Sequence, residues 1–516
     1  MQEEKCVVHF PKTSKHIASI PETSVYEIPF MYERAKKAFR DWSKLKVEER
    51  LSYFTVLKRV MLEELEELAE KISVDTGKVK TEALVADLMP TLDFLKHLEN
   101  TATKTLGRQK VSTPLLFIGK KSYVEYMPRG TVLVISPWNY PFQLSMVPIL
   151  SALIGGNTVI AKPSEVTPYV GVVMEELFKK ANFPEGVIQF AHGGKELGAA
   201  LTEQKPDYIF FTGSVQTGKI IGQVAAKHLI PITLELGGKD PMIVLKDANL
   251  KRAAKAAVWG AFTNSGQVCM SVERLYVEKE VYEPLLSLLK EEVAKLKQGY
   301  GLNDDVGSMT FSTQKEIVRA HIEDALKQGA KLETGVPPHE WKEDSMFLPL
   351  MVLSGVTRDM RVIQEETFGP VLPIIPFNTV EEAIELANDS EYGLNASVWS
   401  SDLDKAYSIA SQLVSGAVVI NDVLISVANH HLPFGGTKQS GIGRYHGEQG
   451  LRMFCHEKAI VVDDGRKKTE IQWYPYKGKY RDFVALLKEY YSHKGVNWVK
   501  FLKHYRELIK KSNQES

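Results

Sequence analysis

Residues 131–162 read TVLVISPWNYPFQLSMVPILSALIGGNTVIAK. Two short β-rich runs, TVLVIS and NTVIAK, flank a longer apolar stretch through Leu144 to Ile154. Length separates them: the short runs suit strands and the long one suits a helix. Apolar runs without alternation belong to strands covered on both faces, as in a parallel sheet sandwiched by helices. The rhythm continues through a helix near 168–181 and the runs VIQFAHGG, YIFFTGS and PITLELGG, which end at Gly238. A second series opens after residue 240 with PMIVL, RLYVEKE, GPVLPIIPF, ASVWS and AVVIND. The pattern predicts an α/β chain of two doubly wound domains that meet near 236–242.

Upstream, residues 1–25 read as irregular. Leu51, Phe54, Leu57, Met61, Leu65 and Leu68 recur at helical spacing and predict a helix with charged flanks. KKSYVEYMPRG, near residue 120, alternates tyrosines with polar residues, as in an exposed hairpin arm.

The chain has 516 residues, 44% hydrophobic and 25% charged, an ordinary balance for a globular protein of two to four domains. Lysine plus arginine equals aspartate plus glutamate, 64 each, so no global charge calls for nucleic acid. Three cysteines, Cys6, Cys269 and Cys455, make no disulfide framework and fit a reducing, cytoplasmic setting. The opening MQEEKCVVHF lacks the apolar core of a signal peptide. Phe142 to Ala161 is interrupted by Gln143, Pro148, Gly155, Gly156 and Asn157, which excludes a membrane span. No HExxH, CxxC or calcium loop points to a metal.

Several strand ends carry polar residues suited to chemistry. FFTGSVQTGKI has the outline of a nucleotide phosphate loop, but Ile220 stands where Ser or Thr would hold magnesium. What survives is a glycine turn opening a helix, either a phosphate site or a plain tight turn. No GxGxxG occurs. Glu235, in LELGGKDP, ends an apolar strand, where a carboxylate serves as general base or caps a turn. Asn139, in SPWNYPF, carries an amide able to hold an oxyanion, or belongs to a rigid aromatic loop. Lys162 and Glu165 bind a ribose or form a surface pair; Glu365 and Glu366 sit beside Phe368. Cys269, in TNSGQVCMS, is a strong nucleophile among small residues, with Gly266 read as giving a reagent access; the bland alternative is a core cysteine. Cys6 and Cys455 are read as core cysteines.

In order along the chain, PWNYP, KPSE, FTGSVQTG, LELGGKDP, SGQVC, EETFGP and PFGGTKQSGIGRYHG resemble the NAD(P)-dependent aldehyde dehydrogenase superfamily. The match covers about residues 30 to 465. PWNYPF, KHLIPITLELGGKDP, INDVLI and GIGRYHG look most like its class-three, fatty- and aromatic-aldehyde branch. The resemblance implies two Rossmann-like domains and a small β oligomerisation element. Residues 26–236 would be the NAD-binding domain, with a hairpin arm at 117–130, and 237–430 the catalytic domain. Residues 431–465 would be a return segment ending in a strand at 457–463, and dimers or tetramers are usual.

The resemblance makes Cys269 the nucleophile, Asn139 and the Cys269 backbone N–H the oxyanion donors, and Glu235 the base that activates hydrolytic water. Gly213 and Ser214 match the pyrophosphate turn, Gly194 and Gly198 the adenine side, and Lys162 and Glu165 the adenosine ribose. Glu366 and Phe368 match contacts to the nicotinamide ribose and ring, and Ser136, Trp138, Ser164, Thr212 and Leu236 complete the implied cofactor set. Glu165 would repel a 2′-phosphate, which favours NAD over NADP while leaving NADP open. The expected activity is oxidation of an apolar, medium- or long-chain or aromatic aldehyde to its acid. Transfer of the acyl group to CoA and a non-catalytic role of the fold are the competing readings.

Residues 466–516 form an extension beyond the family core and read as helical and basic. Trp498, Phe501, Leu502, Tyr505, Leu508 and Ile509 share one face, with Lys500, Lys503, Arg506, Lys510 and Lys511 largely elsewhere. Such a helix over 497–511 lies on an anionic membrane surface or packs on its own or a partner subunit.

Overall fold

The computed structural model describes residues 5–10, 15–493 and 495–513, with side chains from residue 19 onward. Both runs of the opening stretch form strands, Thr131–Ile135 and Thr158–Lys162, and every residue of the helix between them, Gln143–Ile154, is buried. Val132, Leu133, Val134, Val159 and Ile160 are fully buried. Each such side chain stabilises the fold by about 1.5–3 kcal/mol relative to an exposed one.

The first sheet has the order Gly441–Ile442, Ile232–Glu235, Tyr208–Thr212, Thr131–Ile135, Thr158–Lys162, Ile188–Phe190. Its strands are parallel except Gly441–Ile442, which runs antiparallel to Ile232–Glu235. The register sets Ile135 opposite Lys162 and Thr212 opposite Glu235, so the polar residues at the strand ends collect along one edge. Ligands of open α/β sheets bind at that carboxyl edge.

The second sheet runs Lys331–Leu332, Met351–Ser354, Val371–Phe377, Val272–Glu278, Asp240–Val244, Asn395–Trp399, Ala417–Ile420. Only the pair of Lys331–Leu332 with Met351–Ser354 is antiparallel. Four residues separate Glu235, the last of the first sheet's parallel strands, from Asp240, the first of the second. The fold is α/β, with two doubly wound sheets of Rossmann type.

Two expectations need correction. Of the first 25 residues, read as irregular, Lys5–Phe10 and Lys15–Pro21 are instead paired antiparallel strands, Cys6 opposite Ile20. Each strand is too short to show a period, and its hydrogen-bonding partner is what orders it. The side chain of Cys6 lies outside the described ones. The apolar stripe from Leu51 to Leu68 is shared by two helices, Val47–Glu63 and Leu65–Thr76, because Glu64 leaves helical geometry at φ −106°, ψ 15°. The helix Ile28–Trp42 precedes them.

Arg108–Glu125 and the chain from Lys458 onward make a separate unit. The strands Cys455–Val462, Lys121–Pro128 and Gln109–Val111 form a three-stranded sheet in that order. Lys120 bridges Asp463 and Glu470, each at 2.8 Å. The extension supplies the helices Tyr480–Tyr490 and Trp498–Asn513. Phe501, Tyr505 and Leu508 pack with Ile471, Leu486, Leu115 and Leu116. Half of the apolar face anticipated for 497–511 is therefore spent within the unit, while Trp498, Leu502 and Ile509 remain exposed. Among the described residues, no helix is long and apolar enough to cross a membrane.

Candidate active site

The helix Leu250–Phe262 ends in a backbone of unusual shape: Asn264, Ser265 and Gly266 lie at φ 49°, 54° and 72°. Left-handed geometry costs a non-glycine residue about 1–2 kcal/mol. Hydrogen bonds to two other segments, around Glu82 and Gly307–Thr310, hold it. Glu82 accepts from the Asn264 amide at 2.7 Å and the Thr263 hydroxyl at 2.9 Å. The Ser265 hydroxyl donates to the Gly307 carbonyl at 2.7 Å, and Gln267 accepts from the Thr310 amide at 2.9 Å. Gly266 is required by packing: a β-carbon there would stand 2.1 Å from the Gly369 carbonyl oxygen. Close packing is thus a second reason for a glycine here, beside access for a reagent. Cys269 follows on a shoulder of the turn, half-buried, before the strand Val272–Glu278.

Asn139 lies between the strand Thr131–Ile135 and the helix Gln143–Ile154, 3% exposed. Its amide nitrogen donates to the Gln267 carbonyl at 3.0 Å, which uses one of its two N–H groups. Its own carbonyl accepts from Lys78 Nζ at 2.8 Å and Asn264 Nδ2 at 3.0 Å. Glu235 ends its strand 4% exposed, and neither carboxyl oxygen has a hydrogen-bond partner. Burial holds its pKa well above the carboxylate norm, against a smaller lowering by Arg444. Burial also pushes the Cys269 thiol up, helped by the nearby carboxyls of Glu366, Asp240 and Glu235. The resting sulfur therefore holds its proton until a base removes it.

Trp138, Asn139, Thr212, Gly213, Ser214, Glu235, Leu236, Cys269, Glu366 and Phe368 line one cleft of about 250 Å³. Leu144, Gln314 and Ile317 also line it and were not foreseen. A larger hollow of about 530 Å³, beside Arg34, Glu175 and Gln189, is lined by no cysteine. Ser136, Lys162, Ser164, Glu165, Gly194 and Gly198 lie outside the cleft lining. Lys162, at the end of its strand, pairs with Glu165 at 3.0 Å, and a β-carbon on Gly198 would touch the Lys162 stem at 3.3 Å. Ser136 is buried one residue past its strand, and the Ser164 hydroxyl accepts from the Val166 amide at 3.2 Å. Gly194 caps the helix Lys195–Glu203, and no atom lies within 4 Å of where its β-carbon would be. Ser214 caps the helix Val215–His228, its hydroxyl accepting from the Thr217 amide at 3.3 Å.

On the far wall, Glu366 accepts from the Gly238 amide at 2.9 Å, and burial, reinforced by Glu273, pushes its pKa up to about 8. Glu365 pairs with Arg361 at 2.9 Å and does not line the cleft. Phe368 sits at φ 51°, its ring edge-on to Trp138 at 5.4 Å. Glu273 holds this segment by accepting from the Thr367 and Phe368 amides at 2.8 and 3.0 Å, and is itself paired with buried Lys239. Sequence reasoning missed Lys78, Glu82, Lys239 and Glu273. The available signal was a charged residue inside an apolar stretch, as Glu273 is in VERLYV.

A sequence model of the aldehyde dehydrogenase family matches residues 1–460. The chain belongs to the aldehyde dehydrogenase family. A 4,4'-diapolycopene aldehyde oxidase of Methylomonas is 45% identical over 479 residues, 92% of this chain and 89% of its own. A 4,4'-diaponeurosporen-aldehyde dehydrogenase of Staphylococcus aureus is 36% identical, covering 82% of this chain and 91% of its own. Among solved structures, an NAD+ complex of a Bacillus cereus aldehyde dehydrogenase superposes with TM-score 0.84 at 34% identity, over 89% of this chain and 94% of that one. The cleft brings together a thiol, a carboxyl and a side-chain amide, those of Cys269, Glu235 and Asn139.

Proposed function

We propose that the chain oxidises an apolar aldehyde to its carboxylic acid with NAD+, through a thioester on Cys269. One observation carries the reading: Cys269, Glu235 and Asn139, far apart in sequence, line the same cleft as the Gly213–Ser214 turn. The residues present fit a dinucleotide. The N-terminus of Val215–His228 suits the pyrophosphate, with Gly213 and Ser214 at the turn. Lys162 and Glu165 would hold the adenosine ribose, Gly194 and Gly198 would flank the adenine, and Glu366 and Phe368 would meet the nicotinamide end. Glu165, 43% exposed on its side chain, is the acid that favours NAD over NADP. When bound, the nicotinamide supplies a hydride acceptor.

The chain's own residues do the rest. Cys269 passes its proton to solvent water in the cleft and its sulfur bonds to the aldehyde carbon, while the carbonyl electron pair moves to oxygen. The spare N–H of Asn139 and the Cys269 backbone N–H hold that oxyanion. Its collapse re-forms the C=O bond as hydride leaves the carbon, which gives the thioester. Glu235 then takes a proton from water, the hydroxide adds to the acyl carbon, and the C–S bond breaks to release the acid and the thiolate. Glu235, buried without a partner, supports hydrolysis over transfer to CoA; acyl-CoA formed on adding CoA would reverse that preference.

Trp138, Leu144, Ile317 and Phe368 support an apolar substrate, as do two relatives named for 4,4'-diapolycopene and 4,4'-diaponeurosporen aldehydes. The extension supports lipid contact: exposed Trp498, Leu502 and Ile509 lie beside Lys503, Arg506 and Lys510. Residues 466–516 carry 13 lysines and arginines against five acids, in a chain that is balanced overall. Replacing Trp498, Leu502 and Ile509 by serine should release the protein from anionic vesicles. Val461 and Val462, 63% and 44% exposed on the edge strand Cys455–Val462, support assembly into dimers or tetramers, which light scattering tests. The central test is NADH absorbance on mixing with decanal and NAD+. Cys269→Ser should abolish it, and steady oxidation by that variant would overturn the assignment.

A further inference from the structure

Behind the cleft lies a buried ammonium that the reaction so far does not use. The helix Leu65–Thr76 stops at Gly77, φ 80°, and the next residue, Lys78, turns inward and is fully buried. Its carbonyl is tied by the Ser73 hydroxyl at 2.6 Å. Its ammonium has three contacts: Asp87 at 2.7 Å, the Asn139 carbonyl at 2.8 Å, and the face of the Tyr140 ring at 4.1 Å. Asp87, also fully buried, uses its other oxygen to accept from the Gln143 amide at 3.2 Å. The pair therefore grips the loop between strand and helix at two points, residues 139 and 143. Asn264 Nδ2 donates to the same Asn139 carbonyl, and also to the Gln267 carbonyl at 3.2 Å, the oxygen that takes one N–H of the Asn139 side chain. The loops of the amide and of the sulfur are thus joined through one oxygen that Lys78 holds.

Resting on the roles of Cys269 and Asn139 given above, we propose that Lys78, braced by Asp87, is the positioning residue that aims the Asn139 amide at the substrate oxygen. A buried ion pair contributes little net stability compared with apolar residues of the same volume, so stability alone is a poor reason for this one. Its third partner, the main chain of the oxyanion residue, gives it a catalytic consequence. A donor displaced by ångström-scale movement loses the developing oxyanion before it loses ground-state binding, so the rate of the first turnover should fall while NAD+ binding stays.

The test is the NADH burst in the first turnover with decanal. Lys78→Met should slow it about tenfold or more, with native affinity for NAD+ measured by fluorescence titration. In an Asn139→Ala background the same change should cost less than about twofold, because Lys78 acts through that residue. Should Lys78→Met leave Asp87 uncompensated and unfold the chain, Lys78→Met with Asp87→Leu removes both charges and is read in its place. A folded variant with a native burst, or an equal loss with and without Asn139, overturns the proposal. Cys269→Ser separates the two levels: a burst surviving in that variant sinks the active-site reading, whereas its loss beside an intact Lys78→Met burst sinks only the positioning role.

Discussion

Gly266→Ala separates two reasons for a glycine beside the nucleophile, close packing and open access. The added methyl would sit 2.1 Å from the Gly369 carbonyl oxygen and 2.3 Å from its carbon. Both are backbone atoms, held by the adjoining strand Val371–Phe377, so neither can rotate away. The two segments must part by about 1 Å before a carbon and an oxygen reach ordinary contact. The residue also sits at φ 72°, where alanine pays about 1–2 kcal/mol. The turn that carries Cys269 and the segment that carries Glu366 and Phe368 face each other across this contact, so the separation falls directly on the cleft. A misplacement of that size is worth about a hundredfold in rate. The first-turnover burst with decanal should fall by about that factor, and thermal unfolding should begin a few degrees lower. A variant with native melting and a native burst would refute the packing argument. Native melting with a slow burst rescued by smaller aldehydes would restore the access reading.

Asn139→Ala removes one oxyanion donor and should slow the burst about 10²–10³-fold, with NAD+ binding unchanged by titration. Glu235→Gln should give a burst of NADH followed by slow turnover, since acylation survives while water activation does not; quenched-flow separates the phases. Because burial raises the Glu235 pKa, its basic form is scarce in mild acid. Thioester hydrolysis should still climb with pH above about pH 6, where an ordinary carboxylate is fully ionised, and Glu235→Gln should lose that slope. Asp75 caps the helix Pro168–Lys180 by accepting from the Val170 amide at 2.9 Å, and burial pushes its pKa up to about 7. The folded state then binds this proton more tightly than the unfolded chain, so the stabilisation is complete below about pH 4 and is lost as pH rises through about 7. Asp75→Asn should flatten the fall in melting temperature over that window, measured by scanning calorimetry.

Most strands of both sheets were legible in the sequence because each is a local event: a β-rich run such as TVLVIS or PMIVL is buried on both faces wherever it goes; the short strands Lys331–Leu332, Met351–Ser354 and Gly441–Ile442 were not. The motifs were legible too, since a turn such as LELGG or FTGS is defined by adjacent residues. The pairing of Lys5–Phe10 with Lys15–Pro21 and the halved face of the last helix were not, because each depends on a partner elsewhere in the chain.

For the site, Cys269, Asn139 and Glu235 came from motifs, and the shared cleft came from the parallel registers that align the strand ends. What the sequence determined by itself was most of the parallel strands, the turns that follow them and the reactive side chains. What only the tertiary structure decided was why the nucleophile's turn can hold three left-handed residues in a row, and why Gly266 is a glycine. Those answers lie in Glu82, Gly307, Thr310 and Gly369, brought together by folding. Hydrogen bonds and close contacts act over about 3 Å of space, whatever the separation along the chain.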